Sequence, residues 1–530
     1  MSNTPYDIVI VGAGFAGMYL LHRARGLGLT ARVLEAGTDV GGTWYWNRYP
    51  GARVDIESMQ YSYQFDEDLQ QEWEWTEKYS PQPELLKYAR HVADRHDLRR
   101  DIQFNTRVAA ARYDEGQAVW TLEAEDGSTV QGRFYVMATG CLSVPNDPNL
   151  PGKDTFAGPT YVTGRWPHEG VDFTGKRVAV IGTGSSAIQS IPLIAETAAQ
   201  VTVFQRTANY SIPAHNAPLD KAYEAKIKAR YPQFRAEAKK TGPGFHAVFE
   251  TDSVLDATPQ ERERRYRERW QQGGLGFLGC FADHMMTQEG NDYAANFLRD
   301  RIRSIVDDPE TAEKLCPTNL IGAKRFCVDT NYYATYNRPN VALVDIRANP
   351  IEQVSANAVH AGGEAYGADI LVMATGFDAM TGALLAVDIQ GVGGARLQER
   401  WAEGPSSYLG LAIKDFPNLF TVTGPGSPSV FTNMLPHIEQ HVDWIADCIG
   451  YMESRNYRRI EADADAEDQW WDHVQEVGAV GLKATVDSWY IGANIEGKAR
   501  GMMPYLGGFP QYCEKCETVA AEGYAGFKLA

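Results

Sequence analysis

The sequence predicts an α/β chain in which a strand, a tight glycine turn and a helix start occur twice, with a helical segment set into the second copy. Three observations carry this. The apolar run Asp7-Ile8-Val9-Ile10-Val11 leads directly into Gly12-Ala13-Gly14-Phe15-Ala16-Gly17, and Arg177-Val178-Ala179-Val180-Ile181 leads into Gly182-Thr183-Gly184-Ser185-Ser186-Ala187. Two further apolar strands end in the same tripeptide, Val136-Met137-Ala138-Thr139-Gly140 and Val372-Met373-Ala374-Thr375-Gly376. Between about 215 and 320 the composition shifts to helix formers and dense charge.

Glycine is needed at each fingerprint because the chain turns sharply and its backbone must approach a pyrophosphate, which the free N–H groups and dipole of the helix N-terminus then hold. The next strand supplies the discriminating residue. In the first unit Ala31-Arg32-Val33-Leu34 ends at Glu35, 23 positions after Gly12. A carboxylate there accepts bonds from both ribose hydroxyls and repels a 2′-phosphate. In the second unit Gln205 stands at the same spacing and is followed by Arg206 and Thr207, a cation with hydroxyl help, which favours NADPH over NADH. The fold class expected is therefore α/β with two Rossmann-like dinucleotide-binding domains, for FAD and for NADP, and a helical insertion. The Ala-Thr-Gly strands are read as the closing strand of each unit. On this reading 1–145 is the first part of the FAD-binding domain, 146–214 the first part of the NADP-binding domain, 215–330 the helical insertion, 331–384 the rest of the NADP-binding domain, and 385–530 the rest of the FAD-binding domain with a mobile C-terminal loop.

At 530 residues the chain is too long for a single core. Its formal net charge of −18 argues against nucleic acid or an anionic membrane as partner, because the average surface repels both. Met1-Ser2-Asn3-Thr4-Pro5 runs almost at once into the first strand, leaving no room for a leader, and no run of about 18 apolar residues suggests a membrane span. A cytoplasmic protein is expected. Seven scattered cysteines fit reduced thiols; Cys513 and Cys516 have CxxC spacing but no second pair and no βαβ unit behind them.

Other patterns have structural readings. Glu261-Arg262-Glu263-Arg264-Arg265 places opposite charges three and four apart, as on a solvated helix face. Asp463-Ala464-Asp465-Ala466-Glu467-Asp468 lacks the glycine of a calcium loop and reads as a capped helix start. His437 and His441 are four apart on an apparent helix from 433 to 449, with no third ligand in view for zinc.

The segment Gly41-Gly42-Thr43-Trp44-Tyr45-Trp46-Asn47-Arg48-Tyr49-Pro50-Gly51-Ala52-Arg53-Val54-Asp55 has glycines for close approach to a phosphate or ring, aromatics to wall a flavin, and a carboxylate at its end. It resembles the pattern G-G-x-W-x-x-x-x-[FY]-P-G-x-x-x-D of the type I Baeyer-Villiger monooxygenases at every fixed position, and the resemblance extends over nearly the whole chain. A second family pattern, F-x-G-x-x-x-H-T-x-x-W-[PD], matches Phe156 to Pro167 except that Val162 stands in place of the histidine. A hydrogen bond from an imidazole is lost there, and no protonation switch operates at that point.

The resemblance implies FAD and NADPH as cofactors and oxidation of a ketone by O2 to an ester or lactone through a flavin C4a-peroxide. It implies Arg325, in Gly322-Ala323-Lys324-Arg325-Phe326-Cys327, as the active-site cation; a permanent guanidinium stabilises both a peroxide anion and the substrate oxyanion, and Asp55 orients it through a bidentate pair. Lys324 would join Arg206 and Thr207 at the 2′-phosphate. Trp489 would contact the nicotinamide, and Phe431 would narrow the substrate pocket. The cofactor-binding set expected is thus Gly12, Gly14, Phe15, Gly17, Glu35, Gly42, Thr43, Trp44, Tyr49, Asp55, Gly182, Gly184, Ser185, Ser186, Arg206, Thr207, Lys324, Arg325 and Trp489. The alternatives are a sulfur- or nitrogen-oxidising flavin monooxygenase, against which Trp166-Pro167 speaks, and an uncoupled NADPH oxidase. The ketone and the oligomeric state stay open.

Overall fold

A computed structural model describes residues 4–530; Met1, Ser2 and Asn3, with which the expectation of a leaderless start began, lie outside the described residues. The chain enters β1 (Tyr6–Val11), crosses through the helix Phe15–Gly26 to β2 (Ala31–Leu34), and continues through β3 (Ile102–Gln103), β4 (Val108–Asp114), β5 (Val119–Ala124) and β6 (Thr129–Met137). It then builds a second sheet from β7 (Thr160–Val162), β8 (Arg177–Ile181) and β9 (Gln200–Gln205), and forms a two-stranded parallel ribbon from β10 (Ser211–Pro213) and β11 (Cys327–Asp329). After β12 (Val341–Asp345), the antiparallel β13 (Ile351–Ser355), β14 (Ala358–Ala361) and β15 (Glu364–Gly367) lead into β16 (Ile370–Met373). The last strands are β17 (Asp388–Gln390), β18 (Leu419–Thr421), β19 (Ile460–Ala462) and β20 (Phe527–Leu529).

The two predicted units have one topology. The first sheet runs β17-β4-β5-β6-β1-β2-β3 and the second runs β12-β9-β8-β16-β7, so each fingerprint strand lies between its own Ala-Thr-Gly strand and the strand that follows its helix. β6 is long enough to serve two neighbours on one edge, β5 through Thr129–Gly132 and β18 through Tyr135–Met137. β17 and β18 bring the chain back to the first sheet. Ile8, Val9, Ile10 and Val180 are fully buried, because central parallel strands are covered on both faces.

The repeated tripeptide has a local cause. Ala138 N donates to the Val11 carbonyl and Ala374 N to the Ile181 carbonyl, each at 2.9 Å, which lays both closing strands against the glycine turns. Gly12 (φ +105°) and Gly182 (φ +112°) are left-handed there, and a Cβ would stand 2.6 Å from the Ala138 carbonyl oxygen and 2.2 Å from that of Ala374. Only glycine admits both the backbone angle and the contact.

The charged segment is helical as expected, with helices Lys221–Lys228, Tyr231–Lys239, Pro259–Gln272, Gln288–Ile305 and Pro309–Leu315. In Pro259–Gln272 only Tyr266 is buried, and Arg264 pairs with Glu261 and Glu268 at 2.7 and 2.6 Å on the exposed side. The sequence placed this insertion with the second unit. Its aromatic side instead continues the core of the first: Tyr266, Phe277, Phe281 and Phe297 share a buried cluster with Ile8, Ile10 and Met18. Only its end, through Ile302 and Leu315, joins Val180, Ile188 and Val203 of the second. Periodicity says that a helix has an apolar face and is silent on which sheet that face covers.

The acidic stretch begins the helix Ala464–Ala479, with Asp463 Oδ1 accepting from Asp465 N at 3.0 Å. All seven cysteines are free thiols, Cys513 and Cys516 lying on the helix Phe509–Ala521. Among the described residues no helix is long and apolar enough to cross a membrane.

Gly182→Ala is expected to weaken NADP+ binding and to destabilise the second unit by about 1–3 kcal/mol, leaving FAD binding near its original strength. Separate titrations of the two dinucleotides and a thermal melt check this; equal losses for both would show that the turns are not independent.

Candidate active site

The carboxyl ends of β1, β2, β8 and β9 open on one continuous cavity of about 2060 Å³. An ordinary small-molecule pocket holds roughly 300–1,000 Å³. From the first unit Gly12, Gly14, Phe15, Glu35, Gly42, Thr43, Trp44, Tyr49 and Asp55 line it. From the second and the insertion come Gly182, Gly184, Ser185, Ser186, Arg206, Thr207, Lys324 and Arg325, with Trp489 from the C-terminal segment. Gly17 is the exception. It does not reach the cavity; a Cβ on it would lie 1.9 Å from the Gly12 carbonyl oxygen, so it brings the helix Phe15–Gly26 down onto the turn instead of touching a ligand.

Glu35 is 5 % exposed and spans the turn, Oε2 accepting from Ala13 N and Oε1 from Gly37 N, both at 2.7 Å. Burial raises its pKa above the ordinary carboxylate value, and the two N–H groups and Arg107 pull it back only in part. In the second unit Gln205 at the same spacing points away, its Nε2 donating to the Lys314 carbonyl at 2.6 Å. The cavity wall passes instead to Arg206, Thr207, Lys324 and a residue that sequence spacing did not identify, Arg347. Arg347 follows β12, which pairs with β9, so strand order and not sequence distance puts it beside Arg206. Burial first, and then the charges of Arg206 and Arg347, hold the Lys324 ammonium below its ordinary pKa. None of these three cations has a salt-bridge partner among the described residues.

Arg325 Nη2 donates to Asp55 Oδ2 and Nη1 to the Val430 carbonyl at 2.8 Å. The expected bidentate pair is thus replaced by a clamp: the guanidinium splits its donors between a carboxylate from one end of the chain and a backbone carbonyl from the other. Burial alone would depress the guanidinium pKa, and the charge and hydrogen bond of Asp55, with Tyr490 and Cys327 beside it, more than reverse that, so it lies above the ordinary arginine value. Their side chains keep 30 % and 29 % exposure at the cavity wall. Tyr49, whose hydroxyl donates to Gln189 Oε1 at 2.8 Å, ties the aromatic segment of the first unit to the helix Ser185–Thr197 of the second. Ser186 Oγ meets Thr163 Oγ1 at 3.2 Å, and Ser185 Oγ meets Cys327 Sγ at 3.1 Å.

The C-terminal segment is pinned over the cavity. Asn494 Nδ2 donates to the Phe377 carbonyl at 2.8 Å, and Lys498 Nζ pairs with Asp378 Oδ1 at 2.5 Å. Trp489 packs on Tyr490 in a tilted contact at 43°, their ring centres 4.1 Å apart. Phe431 corrects an expectation. It does not line the cavity but packs on Tyr490 with Lys483 Nζ 4.0 Å from its ring centre, while its neighbours Val430 and Thr432 face inward. Val162, in the edge strand β7, is in register with Met373 of β16 and is half-buried against the core on that side.

A family model described as pyridine nucleotide-disulphide oxidoreductase matches residues 9–251. A Baeyer-Villiger monooxygenase of Pseudooceanicola batsensis is 42 % identical over 98 % of this chain and 95 % of its own length. The chain belongs to the Baeyer-Villiger monooxygenases. The solved structure of an oxidised steroid monooxygenase bound to NADP is 51 % identical, covers 99 % of both chains and has a TM-score of 0.95. That of OTEMO in complex with FAD and NADP is 40 % identical, covers 100 % of both and has a TM-score of 0.96.

FAD and NADPH are the cofactors of this Baeyer-Villiger monooxygenase, and the cavity fits both. Gly184 has nothing within 4 Å of where a Cβ would stand, so its backbone is open to a phosphate. Ser488 Oγ and Asn494 Oδ1 are buried with no partner although both residues line the cavity. The cations at 206, 324 and 347 lack a counter-charge that a 2′-phosphate carries.

Arg347→Ala and Arg206→Ala are each expected to raise the KM for NADPH by about 10-fold to 100-fold and that for NADH by far less, since each deletes one charge-assisted phosphate contact. Steady-state flavin reduction with both nucleotides reads the difference. Parallel increases would remove the assignment.

Proposed function

We propose that Arg325, clamped between Asp55 and the Val430 carbonyl, is the group on which ketone oxidation depends in this chain. Ketone, O2, NADPH and a proton give ester or lactone, NADP+ and water. When bound, the flavin supplies the two-electron chemistry that reduces O2 and delivers one of its oxygen atoms. The protein's own groups do the rest. Glu35 receives the ribose hydroxyls at the end of β2, and the turn from Gly12 to Gly14 with the segment Gly42, Thr43 and Trp44 receives the pyrophosphate and walls the ring system. Gly182, Gly184, Ser185 and Ser186 take the second pyrophosphate, while Arg206, Thr207, Lys324 and Arg347 take the 2′-phosphate. Trp489 and the pinned segment around it cover the nicotinamide side and exclude water.

Arg325 carries the reading because its position and charge suit the chemistry. A guanidinium held above its ordinary pKa stays cationic across the working range. It keeps its protons beside an anionic oxidant, and it stabilises the charge that develops on the substrate's carbonyl oxygen. Asp55 fixes its plane and keeps the pair neutral overall, which limits the cost of desolvation at the wall. The 146–214 and 331–384 segments then form the nucleotide-binding half, and 1–145 with 385–530 the flavin half. We place the enzyme in the cytoplasm, where seven free thiols stay reduced.

The test is incubation with NADPH and isotopically labelled O2 against linear, cyclic, aryl and steroidal ketones, with product analysis. Ester carrying one labelled oxygen is expected. Hydrogen peroxide alone, or sulfoxide from sulfides with no ester from any ketone, would overturn the reading. Arg325→Ala is expected to keep flavin reduction by NADPH within about twofold and to lower ester formation by about 100-fold or more.

A further inference from the structure

We infer that His437 and His441 are positioning residues of the oxygenating site, pinning the two ends of the loop that carries the Val430 carbonyl, one of the partners of Arg325. The inference rests on the ketone-oxidising reading above. Both imidazoles project from one face of the helix Met434–Arg455, are fully buried, and have their Nε2 atoms 2.9 Å apart. His441 Nδ1 accepts from Thr423 N at 3.1 Å, and His437 Nδ1 meets Thr432 Oγ1 at 3.1 Å. Thr423 and Thr432 begin and end the segment that passes through Val430, and all three line the cavity.

The Thr423 contact sets the hydrogen-bond directions. A backbone N–H can only donate, so His441 Nδ1 is an acceptor and the ring's proton is on Nε2. The Tyr512 hydroxyl, 2.7 Å from His441 Nε2, donates its own proton to the Leu409 carbonyl at 2.5 Å, leaving its oxygen as an acceptor. His441 Nε2–H therefore serves the Tyr512 oxygen and His437 Nε2 together. That puts the proton of His437 on Nδ1, where it donates to Thr432 Oγ1, whose hydroxyl in turn donates to the Ser429 carbonyl at 2.9 Å. Burial, the dominant cause for both rings, keeps them neutral.

The arrangement has a task. Thr423 is left-handed at φ +58°, an unfavourable state for a β-branched residue, and the bond from its N–H to His441 helps hold it. Thr432 lies two residues from Val430, whose carbonyl is one of the two partners of Arg325. Loss of either pin lets the loop move and changes where the guanidinium points, while the nucleotide-binding cations are on other elements. All four ring nitrogens are occupied by protein partners, so the pair is a directional link between loop and helix.

The test uses the FAD-loaded full chain as wild type, His441→Phe and His441→Asn, the last keeping an oxygen acceptor near the place of Nδ1. Hydrogen exchange of the segment 423–433 and ester formed per NADPH consumed are measured together. In His441→Phe the Thr423 amide is expected to exchange about tenfold faster and the ester yield per NADPH to fall about tenfold. The KM for NADPH and the flavin reduction rate stay within about twofold, and His441→Asn recovers protection and most of the yield. Unchanged exchange in His441→Phe, full coupling despite lost protection, or an equal rise in the KM for NADPH overturns the inference. A wild-type enzyme that makes no ester overturns the ketone reading, and the exchange arm then decides the pin by itself. Should His441→Phe fail to fold, nitrogen-15 histidine spectra of the wild type decide it: Nε2–H on His441 and Nδ1–H on His437 support it, and either opposite tautomer overturns it.

Discussion

The pair between Arg325 and Asp55 is the interaction on which the arrangement of the site depends. It joins residues 270 positions apart, one at the end of the aromatic segment after the first fingerprint and one where the helical insertion returns to the second unit. An unpaired guanidinium at this depth is costly, whereas a paired one is tolerated and fixed in direction. The insertion must therefore settle against the first unit for the charge to be neutralised, and its aromatic core, from Tyr266 to Phe297, supplies the apolar contact that holds it there. The third participant, the Val430 carbonyl, adds the C-terminal part of the chain to the same point.

Around that point the molecule is two copies of one nucleotide-binding design whose differences matter more than their likeness. Both turn at a left-handed glycine pressed against the carbonyl of an Ala-Thr-Gly strand. The first then presents a buried carboxylate braced by Ala13 and Gly37 N–H groups, and the second turns its glutamine inward and presents three cations. A carboxylate suits two ribose hydroxyls and excludes a phosphate, and the cations do the reverse. Tyr49 and Gln189 bridge the units, so the flavin side and the nucleotide side share a wall.

The loops that complete the cavity are held by polar contacts as well as by apolar packing around Val430, Tyr490 and Met503. Lys498 with Asp378 and Asn494 with Phe377 fasten the segment carrying Trp489, and the buried histidines fasten the loop carrying Val430. Such contacts fix direction as well as position, so the guanidinium of Arg325 is held in one orientation.

Much of this was legible in the sequence. The fingerprints, the acid at 35, the cation at 206 and the closing strands all lie within about 25 residues of a recognisable strand or rest on repeated local grammar, because turn geometry and strand periodicity are short-range properties. Arg325 and Asp55 were legible only through a family pattern, since no spacing relates 325 to 55. The sequence alone determined the two glycine turns with their closing strands and the pair of cofactors. Tertiary structure alone decided that Gly17 packs under the turn, that Phe431 turns away, that Arg347 joins Arg206, and that the insertion packs on the first unit through Glu57, Met59 and Ser62. Each of these depends on which surfaces meet in space, and surface pairing is set by the sum of packing over the whole chain, which no local pattern encodes.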